Sequence, residues 1–113
     1  MTRNSPLLPR DDEGDQINLP PDKSILAKTY DTTISADTQV ALNSSTRLVE
    51  ISAITQGILF KNKTASGGTA VSTTNFDGFV ASGSTRHYVV PEGITHMSFI
   101  EQAASATLIV IEY

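Results

Sequence analysis

From residue 25 onward the chain repeats one pattern: short apolar or alternating runs, separated by turn residues every eight to twelve positions. "TRLVEISAI" (46–54) is the clearest. Val49, Ile51 and Ala53 fall on one face, and Leu48, Glu50, Ser52 and Ile54 on the other. Period-2 alternation marks a half-buried strand, because successive side chains leave opposite faces of a sheet. The same reading gives strands at "ILAKTYDTTI" (25–34), "TQVAL" (38–42), "GILFK" (57–61), "NFDGFVA" (75–81), "STRHYVV" (84–90), "THMSFIE" (95–101) and "ATLIVIEY" (106–113). No segment carries a sustained helical period. Eight short strands imply one all-β domain, an antiparallel sandwich of jelly-roll or immunoglobulin-like type.

Connections are the next level of expectation. Thr55-Gln56-Gly57 joins two strands by a short link, which favours a hairpin. Pro91-Glu92-Gly93 sits between the 84–90 and 95–101 runs and reads as the turn of a second hairpin, whose Val89, Met97 and Phe99 serve the core. "NKTASGGTAVSTT" (62–74) reads as an exposed loop or weak edge strand. The last run is apolar on both faces, with Leu108 and Val110 opposite Ile109 and Ile111. That implies a central strand, or one with a face covered by another chain.

Residues 1–24 are different. They hold Pro6, Pro9, Pro20 and Pro21, four of the five prolines, and five of the twelve acids. Such a segment buries too little apolar surface to fold alone. It reads as an extended N-terminal arm, 1–24, leading into a sandwich domain, 25–113. Leu7, Leu8, Ile17 and Leu19 are its candidate anchors for partner contact.

Composition narrows the chemistry. There is no cysteine, so disulfides, thiolate metal sites and cysteine nucleophiles are excluded. Net charge is −4 with scattered bases, so no basic patch suits a phosphate backbone and no direct nucleic-acid contact is expected. No apolar run approaches membrane length, and the N-terminus does not read as a secretory signal.

The two histidines deserve weighing. Across a hairpin about Pro91-Glu92-Gly93, His87 would lie opposite or diagonal to His96, close enough to share a ligand. A zinc site needs three or four protein ligands, and no spacing supplies the rest. No metal or cofactor is therefore expected. Ser82 and Ser84 lie near His87, but no Gly-x-Ser-x-Gly elbow exists. The domain's carboxylates are isolated, and nothing places two in one groove. "RDDEGDQI" (10–17) lacks the glycine and glutamate positions of a calcium loop. Seven aromatics and no tryptophan leave few platforms for a sugar. The chain reads as a non-enzyme.

"ISAITQGILFK", "NFDGFVASGSTRHYVVPEGITHMSFIE" and the terminal "ATLIVIEY", behind a short polar arm, resemble small virion proteins of tailed bacteriophages. Those include capsid decoration (cement) proteins and related head or tail accessory components. The resemblance covers residues 38–113. It implies a sandwich that docks on the outer capsid, so that the expected location is the virion surface. It further implies the major capsid protein and the chain's own copies as partners, as a homotrimer, with arms crossing to neighbouring subunits. It carries over no catalytic residue. The alternative expectation is a tail-associated or glycan- or protein-binding sandwich.

Overall fold

The computed structural model describes residues 26–113. The arm, with Leu7, Leu8, Ile17 and Leu19, lies outside the described residues. Eight strands follow in order: β1 (Ala27–Asp31), β2 (Thr38–Ala41), β3 (Leu48–Ile54), β4 (Ile58–Lys63), β5 (Gly78–Val80), β6 (Thr85–Val89), β7 (His96–Glu101) and β8 (Thr107–Glu112). Each falls on one of the eight runs expected from the alternation, and no helix occurs among the described residues.

The strands form two antiparallel four-stranded sheets, β1-β8-β3-β6 and β2-β7-β4-β5. Four of the pairs are nested: β1 with β8, β2 with β7, β3 with β6 and β4 with β5. The chain is thus one long folded hairpin rolled so that its strands fall alternately into two sheets. This is the jelly-roll order, and it sets aside the immunoglobulin-like alternative.

That topology corrects both expected hairpins. β3 and β4 do not pair, since Thr55-Gln56-Gly57 carries the chain from the first sheet to the second. Thr55 makes the exit at a φ of 77°, a left-handed conformation that a β-branched residue adopts under strain. Pro91-Glu92-Gly93 also crosses between sheets, with Gly93 at a φ of 87°. β6 pairs with β3 and β7 with β2 and β4. Val89 is consequently no core residue: it is 72% exposed on the outside of the first sheet.

The core lies between the sheets. Val49, Ile51 and Ala53 of β3 and Leu108 and Val110 of β8 face Ile58, Phe60, Met97 and Phe99, all essentially buried. Each of these side chains larger than alanine contributes roughly 1.5–3 kcal/mol on leaving water. Strand ends follow local chemistry. β1 stops at Asp31, whose carboxylate accepts from the Thr33 amide (2.7 Å) and hydroxyl (2.8 Å), an Asx turn that competes with the ladder. Ile34, beyond that turn, is fully buried.

Candidate interaction surface

A sandwich has two outer faces, and here they differ. The second sheet is partly roofed. Lys63 points outward yet is 7% exposed, and Ser98 beside it is fully buried. The Ser/Thr/Gly tract folds back over them. Gln39 accepts from the Gly67 amide (3.1 Å) and donates to Ser66 (3.2 Å). Asp37 accepts from the Val71 amide (3.0 Å) and pairs with the Lys63 ammonium (3.3 Å). The expected exposed loop is exposed from 64 to 70, but Val71 is 2% exposed and pins its end. A shallow depression under residues 64–69 is bounded by Lys61 and Lys63, whose ammonium groups are held by Asn75 and Asp37.

Burial opposes the charge of Asp37. The Val71 amide, then the Lys63 hydrogen bond and charge, outweigh it and hold the carboxyl below its ordinary value. The folded state therefore takes this proton less readily than the unfolded chain. The clamp's stabilisation is complete above the unfolded value, about 3.9, and is lost as pH falls through the lower folded value. Asp31, held down chiefly by the Thr33 amide, adds to the same trend. Thermal melts from about pH 5 to pH 2 are expected to show falling stability, with a shallower slope in Asp37→Asn. An identical acid slope in that variant would remove the clamp from this account.

The first sheet is different. Its outer side chains are set by the same register that fills the core: Lys28 and Tyr30 on β1 share a face with Ile111 and Ile109 on β8, and with Glu50 and Ser52 on β3. Tyr30 is 65% exposed, Ile54 and Val89 are exposed, and Leu48, Ile109 and Ile111 are half-buried. β8 is the central strand that its two-sided apolar run suggested, and no described residue roofs its outer side. Glu50 is the polar centre of this face. Its Oε1 meets His87 Nε2 at 3.0 Å and accepts from the Tyr113 hydroxyl at 3.3 Å. The imidazole is mostly exposed, so this pair contributes under about 1 kcal/mol.

The two histidines do not meet. His87 sits on the outside of the first sheet and His96 on the outside of the second, where its Nδ1 lies 2.7 Å from the Thr95 hydroxyl. Side chains leaving opposite faces of a sandwich cannot share a ligand within one chain. Among the described residues no three of His, Asp and Glu converge in a metal-binding geometry. His87 turns to Glu50, while Ser82 and Ser84 belong to the turn preceding β6.

Sequence reasoning passed over Glu112. It is 1% exposed, on the inner parity of β8 with Leu108 and Val110. A carboxylate at that parity of a central strand was the available signal. Comparison with family models, curated proteins and solved structures finds no match to this chain.

Proposed function

We propose that the protein is a structural component of a virion, a capsid decoration (cement) protein that binds the outer capsid as an oligomer. One observation carries the reading: the outer face of the first sheet sets Leu48, Ile109, Ile111 and the exposed Tyr30, Ile54 and Val89 around Glu50 with no roof among the described residues, and residue 26 joins the domain at an edge of that sheet. The Leu26 amide donates to the Glu112 carbonyl at 2.7 Å, which holds the first described residue against β8. Jelly rolls recur among viral capsid domains, but also among lectins and cupins, so fold alone is an analogy. The interior here is filled by side chains such as Phe60, Phe99 and Met97, which suits packing against a surface. Arm and domain on different capsid subunits would raise avidity through effective concentration.

The test is sedimentation of virion particles from the source of the protein, with the particle proteins identified by mass. The full chain is expected among them. Aspartate at Leu7, Leu8, Ile17 and Leu19 together is expected to weaken rebinding at least about tenfold, or 1.4 kcal/mol. Absence of the chain from every particle would end the proposal. Unchanged rebinding by the substituted arm would remove the arm from it.

A glycan-binding reading has one observation in its favour. Phe76 and Phe79 are both exposed at β5. A glycan array on which Phe76→Ala abolishes a specific signal would favour it over the capsid reading.

A further inference from the structure

We propose that β6 is an edge through which two copies of this chain pair, antiparallel and two-fold, with His87 opposite His87 of the second copy. β6 ends the first sheet, so one side of it has no strand among the described residues. The ladder to β3 uses the residues flanking and alternating with the edge. Ala53 donates to the Ser84 carbonyl (3.1 Å) and Val90 donates to the Arg47 carbonyl (2.9 Å), bracketing the register Ile51↔Arg86 and Val49↔Tyr88. The backbone amides and carbonyls of Thr85, His87 and Val89 therefore point outward along the edge.

Among the described residues, nothing blunts this edge. Natural edges are protected by lysine, proline, bulges or covering loops. β6 reads Thr-Arg-His-Tyr-Val, has an unbroken register with β3, and is exposed along nearly its whole length. The other edges are protected or short. β1 carries the exposed Lys28, β2 carries the 66–67 loop on Gln39, and β5 has 3 residues. Val89 of β6 is exposed on the outer face of the first sheet, and Phe79 of β5 is exposed on the outer face of the second. The Arg86 guanidinium ties the two strands by donating to the Phe79 carbonyl at 3.1 Å.

The edge is complementary to itself, which identifies the occupant as a second copy. Centred on His87, the antiparallel register sets Thr85 opposite Val89 and Arg86 opposite Tyr88 of the other chain. Each opposed edge residue then gives and accepts one backbone bond, as an isologous interface requires. β-branched and cation–aromatic pairs are favourable cross-strand neighbours. Arg86 already lies 5.6 Å from its own Tyr88 ring. Glu50, bonded to His87 in each chain, puts an acid beside the imidazole that the other chain meets. Pairing makes one eight-stranded sheet and joins the outer faces of the two first sheets.

The pairing does not rest on the capsid reading, and it leaves room for a three-fold contact elsewhere. An edge contact of this length falls below the standard interface size, so it dissociates in the micromolar range or weaker. Sedimentation equilibrium of the full chain from ~10 µM to ~1 mM is expected to show a reversible doubling of mass. Val89→Lys and His87→Pro should each lower the association constant at least tenfold without lowering the melting temperature appreciably. The proline removes an edge-facing amide and the mostly exposed contact with Glu50, and no bond of the ladder to β3. Tyr30→Lys, at the far edge of the same sheet, should leave association unchanged. Amides of Thr85, His87 and Val89 should gain exchange protection with concentration. A mass that never doubles, or a dimer as strong in Val89→Lys as in the parent, overturns the proposal. Val89→Lys decides alone where His87→Pro does not fold. A chain that dimerises through β6 but meets no capsid keeps this inference and loses the functional one.

Discussion

Phe60→Ala is expected to cost about 3–5 kcal/mol, the range for truncating a buried phenylalanine. That is a large share of the 5–15 kcal/mol that holds a domain together. The ring is fully buried and joins several elements. It meets Tyr88 of β6 edge-on at 4.9 Å and Phe99 of β7 at 6.4 Å, and the Arg86 guanidinium lies 5.4 Å from its centroid. It also lies over Gly78, its register partner on β5, where a Cβ would run into the ring. A glycine opposite an aromatic is stable because the ring covers the backbone that lacks a side chain. The hole left by alanine therefore opens the β5–β6 flank, and the melting temperature should drop by about 15–30 °C. Gly78→Ala should be severe in the parent and much milder in the Phe60→Ala background. Strictly additive costs, measured by urea denaturation of all four proteins, would show that the ring does not hold that space.

The strands of this fold are legible because alternation is a local property. Val49, Ile51 and Ala53 announce their burial without reference to any other strand. The partner of each strand is not legible, since it depends on closure over the whole chain. Thr55-Gln56-Gly57 and Pro91-Glu92-Gly93 look like hairpin turns, and either could return a strand or carry it to a sheet about 10 Å away. What decides is the pairing of β1 with β8 and β2 with β7, contacts between opposite ends of the sequence. Once those form, Val89 is placed outside and the histidines are separated. The roof over the second sheet was hidden for a related reason. A Ser/Thr/Gly tract looks like a loop, and only Val71 within it and Asp37 far from it reveal that it docks. The apolar stripe of Ile109 and Ile111 on the outer face, by contrast, was readable in the two-sided run of β8.

Glu112→Ala is expected to destabilise the domain by about 3 kcal/mol, the scale for removing one member of a buried charged hydrogen-bonded set. Oε1 accepts from the Asn43 amide at 2.8 Å and the Thr46 hydroxyl at 2.6 Å. Both donors lie on the crossover from β2 to β3, which takes the chain from one sheet to the other. Alanine would leave them facing a cavity with no acceptor, and that loss exceeds the net worth of the bonds themselves. Glu112→Gln retains the shape and one acceptor oxygen, loses the charge and turns the other oxygen into an amide donor, so about 1 kcal/mol is expected. The ordering alanine, then glutamine, then parent is the discriminating result in urea denaturation. Equal costs for both variants would mean that charge alone matters, and a neutral alanine would mean that water satisfies the donors. The carboxylate also stands where the N-terminal segment enters, because the backbone oxygen of Glu112 receives the Leu26 amide. Loosening this corner should raise amide exchange at Asn43 and at Leu26 together. On the capsid reading, it should weaken particle binding by more than the loss of folded protein explains, since the arm would leave the domain from an unfixed point.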